Sequence, residues 1–427
     1  MQTKQILREL FDAALEQIAP SSLIEEQCRV EEDIFYVNEK SYKLSDYENI
    51  HILGSGKAAW SMAKALSPLI SLSISSGVIV SPVCAGELEA IDCLSSDHPI
   101  PSERSIQGAQ ALIENLKTHN SNDLYIYLLS GGSSALIELP VEGVSLEEFQ
   151  MTTDLMLKNS LMINEINTVR KHLSSIKGGR LAQFSKAKGL VLCISDVIGD
   201  DLYSIGSAPL YADISTYEDA VQVLKKYEIY EKVPKSVQNY LDEGCNHLQL
   251  DTPSSACSRI HHEIIGSNAL AKEAVYEKAK ALSLDACMIE ESIASDVSKG
   301  VEKMLDIAMS SEHKVFIFGG EMTVKVEGEG KGGRNQHAVL SMLKLAEKRG
   351  LKLSFLSAGT DGVDGNSNAA GAYIDVDTLG KLNELGLDIE SSLKENDSYH
   401  FFKALDNLII TGPTGTNVMD IAILIKE

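Results

Sequence analysis

The sequence has little positive charge and no long apolar run. Its 427 residues include 61 Asp and Glu against 38 Lys and Arg, which gives a formal net charge of −23. This excess of negative charge disfavours DNA, RNA and anionic membrane surfaces as partners. No stretch reaches 18 apolar residues, so no membrane-spanning helix is predicted. If the protein binds an anion, its positive charge must be concentrated at one site.

The sequence also lacks closely spaced pairs of cysteines. The seven cysteines form no CxxC pair and have no regular spacing. We therefore predict neither a zinc site nor a disulfide framework, and expect reduced, mostly buried thiols in a cytoplasmic protein. The N-terminal residues predict an amphipathic helix and not a signal peptide.

Five short apolar runs each end at a loop of glycines, small hydroxyl residues and acids. The runs and their loops are 124–129 with 130–134, 190–194 with 195–200, 315–318 with 319–321, 354–356 with 357–365, and 408–410 with 411–417. Such runs predict buried parallel strands, and open α/β sheets bind ligands beyond the carboxyl ends of their strands. Because the loops lack bulky side chains, their backbone N–H groups can approach an anion closely. The pattern predicts a phosphate-handling α/β enzyme.

Strand-like and helix-like segments alternate in two regions separated by a polar stretch over 213–265. We predict two α/β domains, each a mainly parallel sheet flanked by helices. The first is a Rossmann-like domain over 1–245 and the second covers 255–427. The final strand, near 408–427, could join either sheet.

The loop before the first predicted α/β helix contains Ser55, Gly56 and Lys57. It fits a relaxed GxGxx(G/A) dinucleotide fingerprint, but the next predicted strand ends without an acid to hold a ribose. It is not a Walker A loop, because neither Ser nor Thr follows Lys57. A lysine at a helix N-terminus is well placed for an anion; the structural alternative is a surface lysine on a tight turn.

A second strand–loop–helix segment consists of Ser130, Gly131, Gly132, Ser133 and Ser134. It is a candidate anion cradle. Its serines could also include an acyl-transfer nucleophile, but the GxSxG pattern of a nucleophile elbow is absent. The structural alternative is an N-cap with a tight turn.

Basic residues are spaced along a helix predicted over 164–182. Lys177 precedes two glycines that indicate a break in that helix, so it is a candidate phosphate ligand at a functional bend. The alternative is a solvated basic face. His98, in a proline-rich loop, could contact a ligand or brace a turn.

Arg334 lies in a glycine-rich loop at the start of a helix predicted over 335–349. A planar guanidinium at this position suits bidentate binding of a carboxylate or phosphate; the alternative is an arginine that faces solvent. The last glycine loop contains Thr414, Gly415 and Asn417 and is a further candidate cradle for nucleotide or phosphate.

Acidic residues follow the ends of several predicted strands: Asp196, Asp200, Glu321, Asp361 and Asp364. Carboxylates at such positions either cap helices or hold Mg²⁺. Capping is the simpler explanation for one such acid. For five at the edges of two sheets, a metal-phosphate or general-base role for at least one is favoured.

Taken in order, these segments resemble the class II glycerate kinases, the family that includes the MOFRL-domain proteins. The matching segments are Gly54–Ala59, Ser130–Leu136, Ile166–Ser174, Ile176–Ala182, Ser195–Asp200, Gly332–Gln336, Thr360–Gly365 and Gly412–Asn417. They cover nearly the whole chain in family order. The resemblance implies ATP-dependent, Mg²⁺-requiring phosphorylation of D-glycerate to 2-phosphoglycerate, with an active site in the cleft between two α/β domains. It allows a homodimer.

The resemblance also assigns roles. It implies that Lys57 and Arg334 form the substrate-site pair, which we expect to neutralise the glycerate carboxylate and the transferring phosphoryl group. Asp196 is the candidate base for the 2-hydroxyl or, equally, a Mg²⁺ ligand, and Glu321 and Asp361 are further metal candidates.

The chain departs from the family pattern at three places. His337 replaces a usual Glu, Ser133 replaces a usual Gly, and Asn366–Asn368 replaces a Pro-Thr-Asp run. Two alternative functions remain: an NAD(P)H-dependent hydroxypyruvate reductase, a name that family members also carry, and a non-catalytic sensor of small anions. The missing ribose acid weighs against the reductase.

Overall fold

The computed structural model describes residues 3–427, apart from the side chains of residues 72 and 383. It divides into two units, one covering Ile24–Ile265 and the other combining the residues up to Leu23 with Gly266–Glu427. The second unit differs from the predicted boundaries because helix α1 (Thr3–Gln17) packs on the helix Asn268–Ala281. Amphipathicity predicted α1 but could not show which sheet it covers.

The N-terminal unit is built on a six-stranded sheet. The strands up to this point of the chain are β1 (Cys28–Glu31), β2 (Ile34–Val37), β3 (Lys40–Lys43), β4 (Ile50–Ser55), β5 (Ile74–Ser81), β6 (Ile91–Ser95), β7 (Leu124–Leu129), β8 (Lys188–Ile194) and β9 (Ile260–Gly266). The helices are α2 (Pro20–Gln27), α3 (Ala59–Ile70), α4 (Glu103–Thr118), α5 (Ser133–Leu136), α6 (Leu146–Lys158), α7 (Ile163–His172), α8 (Tyr217–Lys226) and α9 (Lys235–Cys245). The sheet order is β6-β5-β4-β7-β8-β9, and β1–β3 form a separate small sheet.

The carboxyl ends of β4 and β7 lie side by side where the strand order reverses. From β4 the chain continues to β5 and β6 on one side, then returns through α4 to β7 and β8 on the other side. The strands from β6 to β8 are all parallel, so the loops after β4 and β7 leave the sheet at one edge. Open α/β sheets bind ligands at such a switch point.

The C-terminal unit has its own six-stranded sheet. Its strands are β10 (Ala286–Met288), β11 (Val315–Gly320), β12 (Leu353–Gly359), β13 (Gly371–Ile374), β14 (Leu408–Ile409) and β15 (Asp420–Lys426). Its remaining helices are α10 (Asn268–Ala281), α11 (Val297–Met309), α12 (Arg334–Arg349), α13 (Thr378–Leu385), α14 (Ile389–Lys394) and α15 (Ser398–Leu405). The final strand, β15, lies between β11 and β12 and is antiparallel to both. The other pairings make four of the six strands run in one direction, so this unit confirms the predicted α/β class.

All five apolar runs form strands as predicted, and four of them are buried. The fifth, β14, is an edge strand of two residues with a half-buried first residue. The predicted parallel pairing holds for β7 and β8 but is wrong for β12 and β14, whose paired neighbours are antiparallel. All residues of β4, β7, β11 and β12 are buried. Helix α12 also matches its prediction, ending where Gly350 adopts φ 64°. The helix predicted over 164–182 is wrong in its second half: α7 ends at His172, and Gly178 and Gly179 both adopt positive φ.

Two cysteines correct the sequence-based expectation. Cys84 and Cys93 form a disulfide between the loop after β5 and strand β6. Residues without a CxxC spacing are joined here because β5 and β6 are neighbouring parallel strands. Of the five free cysteines, Cys28 and Cys193 are buried and the others are half-buried. Across residues 3–427, the structure contains no helix that meets the length and hydropathy needed to span a membrane.

Candidate functional site

Lys57 lies in the turn between β4 and α3, where two glycine loops meet. Gly56 has φ 137°, and a Cβ at this residue would lie 2.2 Å from Oγ of Ser130. Glycine at position 56 is thus required for this close approach. The backbone N–H of Lys57 donates to the carbonyl of Gly131 at 2.9 Å, and the N–H of Ala58 donates to Oγ of Ser130 at 2.9 Å. The two loops therefore form one hydrogen-bonded layer.

Three of the predicted phosphate-binding serines are inside this layer. Oγ of Ser55 lies 2.6 Å from Oγ of Ser133 and 2.6 Å from the hydroxyl of Tyr127. Ser55, Ser130 and Ser133 are at most 1% exposed. Their hydroxyl groups hold the loops together, and this burial argues against direct contact with phosphate. Ser134 is half-buried.

The pair Gly131 and Gly132 is surrounded by side chains that carry chemistry. A Cβ at Gly131 would lie 2.1 Å from Oδ2 of Asp196, and a Cβ at Gly132 would lie 3.0 Å from Cδ2 of His98 and 3.2 Å from Cγ of Lys57. The absence of side chains on the glycines thus makes room for an acid, an imidazole and an amine. We call these five residues the switch-point crevice. It offers both a cation and a proton acceptor beside a stretch of backbone that carries no side chains.

Arg334 is the first residue of α12 and is held by two carboxylates. Its Nε donates to Oδ2 of Asp420 at 2.6 Å and one terminal nitrogen donates to Oδ1 at 2.9 Å. The other terminal nitrogen lies 3.0 Å from Oε1 of Glu321. Burial opposes the charge of Arg334, but the hydrogen-bonded carboxylate of Asp420 outweighs it and the pKa of the guanidinium is raised. The bidentate contact predicted for a ligand is made here within the protein.

The sheet explains why these side chains meet. Because β15 runs antiparallel between β11 and β12, its first residue, Asp420, lies at the edge where β11 and β12 end. Glu321 directly follows β11. A Cβ at Gly359, the last residue of β12, would lie 3.4 Å from Oδ1 of both Asp361 and Asp420. We call Arg334, Glu321, Asp361 and Asp420 the arginine crevice.

Asp364 caps the helix that begins with Arg334. Its buried carboxylate accepts the backbone N–H groups of Asn335 at 3.0 Å and Gln336 at 2.9 Å. Burial raises its pKa to about 6. Of the two roles predicted for the acids after strand ends, Asp364 therefore has the capping role, and it fills the N-terminus of α12.

The loop that contains Thr414, Gly415 and Asn417 braces the arginine crevice. Oγ1 of Thr414 donates to the carbonyl of Thr360 at 2.6 Å, and Oδ1 of Asn417 accepts the N–H of Met419 at 3.0 Å. The side chains of both predicted ligands thus form hydrogen bonds with nearby backbone groups of the protein. Contact with nucleotide or phosphate remains a prediction for this loop.

Lys177 is 1% exposed and forms a buried ion pair with Glu138. Its neighbour Lys171 pairs in the same way with Asp213 at 3.2 Å. These pairs contradict the solvated basic face that the spacing allowed, because the partner acids lie far away in sequence. The Lys177 ammonium group is enclosed by protein, which argues against its predicted contact with phosphate.

Arg170, another basic residue of the stretch predicted as a helix over 164–182, is also buried. One terminal nitrogen donates to the carbonyl of Ser134 at 2.8 Å. Burial lowers the pKa of the guanidinium, although Glu138 opposes this. Arg170 therefore supports the glycine loop from behind.

The predicted metal candidates are divided between the two crevices. Asp196 lies at the switch-point crevice, whereas Glu321 and Asp361 lie at the arginine crevice. Within residues 3–427 there is no group of three or more His, Cys, Asp or Glu side chains that could hold a metal ion. Mg²⁺ commonly takes only one or two protein carboxylates, with phosphate oxygens and water as its other ligands. These acids fit that mode and not a protein-only cage.

Sequence reasoning missed Asp420, which binds Arg334 most closely. The residue begins a strand, whereas the acids singled out in the sequence all follow strands. The placement of β15 between β11 and β12 brings Asp420 to Arg334, and the sequence alone does not give this sheet order.

Two family models match the chain. One, described as a domain of unknown function (DUF4147), matches residues 6–242, and the other, the MOFRL family, matches residues 314–420. A relative from Thermotoga maritima named D-glycerate 2-kinase is 39% identical over 88% of this chain and 90% of its own length. A relative from Agrobacterium vitis with the provisional name hydroxypyruvate reductase is 34% identical over 99% of this chain and 94% of its own.

A solved structure matches the fold. The crystal structure of a glycerate kinase from Thermotoga maritima is 36% identical and superposes with a TM-score of 0.86, covering 100% of this chain and 99% of that chain.

Proposed function

Since the chain belongs to the glycerate kinase family that joins a DUF4147 domain to a MOFRL domain, we propose that it transfers the γ-phosphoryl group of ATP to the 2-hydroxyl of D-glycerate. The products are 2-phosphoglycerate and ADP. Membership confirms the family resemblance seen in the sequence. The stereochemistry and the position of transfer follow the name of the Thermotoga maritima relative.

The switch-point crevice is the observation that carries this proposal. Phosphoryl transfer needs positioning, charge neutralisation and a proton acceptor more than it needs covalent catalysis. Lys57 and Asp196 supply the last two beside a pair of glycines that carry no side chains. We assign Lys57 to the developing charge on the phosphoryl oxygens.

We assign Asp196 to the substrate hydroxyl. The 2-hydroxyl oxygen forms a bond to the γ-phosphorus, the bond from that phosphorus to the bridging oxygen of ADP breaks, and Asp196 accepts the hydroxyl proton. This gives a half-buried carboxylate next to Gly131 a definite task. A contact of Asp196 with Mg²⁺ is the second role compatible with its position.

We assign Arg334 to the carboxylate of glycerate. It is the cation of the arginine crevice, and its side chain is 33% exposed. A planar guanidinium matches a carboxylate in shape and charge.

We further propose that Mg²⁺ accompanies ATP, as the family resemblance implies. When bound, the ion would neutralise charge on the phosphate oxygens. Either Asp196 or Asp361 could supply a carboxylate, since such an ion takes only one or two from protein. Glu321 fits less well because its carboxylate is paired with Arg334.

The reductase alternative is weaker. The Agrobacterium vitis name favours it, but β5 ends at Ser81 and is followed by Pro82, so the acid that usually binds the adenosine ribose of NAD is missing from this position.

One coupled assay tests these functions against each other. Purified protein receives D-glycerate with ATP and Mg²⁺, and separately hydroxypyruvate with NADH or NADPH. We expect ADP formation that requires D-glycerate, with ³¹P NMR showing the 2-phosphate ester and L-glycerate as the control. Oxidation of the nicotinamide without ADP formation would establish the reductase, and glycerate binding without turnover would establish an anion sensor.

A further inference from the structure

We infer that Glu321 occupies the place on Arg334 that the substrate carboxylate takes when it binds. Asp420 is then the positioning residue, which holds the guanidinium in place while the substrate carboxylate replaces Glu321. This inference rests on the proposed function, because it takes the ligand of Arg334 to be a small carboxylic acid. It adds an internal competitor and an anchor to that site.

The guanidinium of Arg334 uses its two edges differently. Asp420 takes the side edge, with Nε at 2.6 Å and one terminal nitrogen at 2.9 Å. Glu321 takes only the other terminal nitrogen, at 3.0 Å. Asp420 therefore fixes the plane of the guanidinium, and Glu321 makes a single contact that a ligand carboxylate can reproduce.

Burial decides which of the two carboxylates can leave. The side chain of Asp420 is 6% exposed and that of Glu321 is 45% exposed. Breaking a buried, doubly hydrogen-bonded ion pair leaves an uncompensated charge and is costly, whereas a solvent-exposed pair contributes little. A ligand therefore displaces Glu321 and leaves the Asp420 contact in place.

The backbone on either side supports this division. Asp420 is fixed as the first residue of β15, opposite Gly320. Gly320 has φ 138°, and a Cβ there would lie 2.3 Å from the carbonyl oxygen of Ile293. Glycine is thus required at position 320, directly before Glu321.

Charge balance favours the exchange. The carboxylates of Asp420, Glu321 and Asp364 all raise the pKa of the Arg334 guanidinium. If the carboxylate of a ligand takes the place of Glu321, the guanidinium keeps the same number of carboxylates around it. The exchange therefore favours carboxylic acids over neutral polyols.

Two substitutions with opposite expected effects test the inference. Glu321→Gln removes the competing charge but keeps the shape, so D-glycerate should bind about three- to tenfold more tightly, measured by calorimetry without nucleotide. Asp420→Asn removes the anchor, so binding should weaken at least about tenfold, with a larger effect on KM than on kcat. Asp420→Glu should restore part of the affinity if anchoring is the role. The matched control is Glu327→Gln, in the same loop with an exposed partner, Lys325, and it should bind as wild type does.

The outcomes separate the inference from the proposed function. If the wild type forms ADP but Glu321→Gln binds D-glycerate no more tightly, the inference fails and the kinase stands. If the wild type forms no ADP but Glu321→Gln still binds D-glycerate more tightly, the kinase fails and the exchange stands. Absence of D-glycerate binding in wild type and Glu321→Gln overturns the inference. If Asp420→Asn does not fold, the result for Glu321→Gln alone decides.

Discussion

Gly131 and Asp196 are in such close contact that a Cβ on the glycine would lie 2.1 Å from Oδ2 of the carboxylate. Gly131 does not have a positive φ, so its backbone would accept alanine and only the carboxylate opposes it. A methyl group at position 131 would therefore displace the Asp196 carboxylate and leave the residue itself in the chain.

We predict that Gly131→Ala folds normally and lowers kcat about ten- to hundredfold. The methyl group must push the carboxylate aside by about an ångström, and misplacements of about that size can cost a hundredfold in rate. Steady-state kinetics at matched melting temperature measures this. The control is Gly380→Ala in α13, where nothing lies within 4 Å, and which should keep full activity. Unchanged kcat in Gly131→Ala would remove Asp196 from the reaction.

Lys57→Ala should lose about 10²–10³ in kcat with little change in KM for either substrate. A charge that acts only on the transition state lowers kcat when it is removed, and one preorganised partner typically contributes that much. Lys64→Ala, which changes an exposed lysine of the following helix α3, is the control and should stay within about twofold, as expected for a surface charge. The same small effect in Lys57→Ala would show that Lys57 is only a surface lysine.

Arg334→Lys keeps the positive charge but replaces the planar guanidinium with a single ammonium group. Lysine cannot make the two-pronged contact with Asp420 and also present a nitrogen to a ligand, so we expect KM for D-glycerate to rise at least about tenfold, about 1.4 kcal/mol. Arg349→Lys, at the far end of α12 and paired at the surface with Asp306, should leave KM unchanged. Wild-type KM in Arg334→Lys would be incompatible with carboxylate binding by this residue.

The sequence predicted the strands and the loops at their ends because that information is local. Each buried strand is a short apolar run in the sequence. The glycines that follow are required where one loop packs closely against another, as Gly56 does against Ser130. Lys57 and Asp196 could be placed at one edge because parallel strands bring their carboxyl ends together.

What the sequence could not show depends on distant partners. The spacing of Lys177 allowed either a phosphate ligand or a solvated basic face, and only the tertiary fold brings Glu138 to it. Asp420 begins an antiparallel strand inserted between β11 and β12, so a rule based on strand ends overlooks it. The disulfide of Cys84 and Cys93 likewise follows from the pairing of β5 with β6.

His119 predicts how stability changes with pH. Its ring stacks on that of His51 at 3.9 Å between centroids and is 5% exposed. Burial, reinforced by His51 and opposed by Asp123, lowers the pKa of His119 to about 4 from 6.5. Between these values the unfolded chain binds more protons than the folded one, so this contribution to stability is complete above pH 6.5 and is lost as the pH falls toward 4.

We therefore expect His119 to cost the folded state about 2 kcal/mol between pH 7 and pH 5. Chemical denaturation at both pH values, in wild type and His119→Gln, measures this as a flatter pH dependence in the variant. The comparison is needed because Asp364, whose raised pKa is about 6, contributes the opposite slope in acid: its folded form binds the proton more tightly. His313→Gln, a surface histidine paired with Asp285, is the control. Parallel pH profiles for wild type and His119→Gln would show that the stacked pair does not titrate with folding.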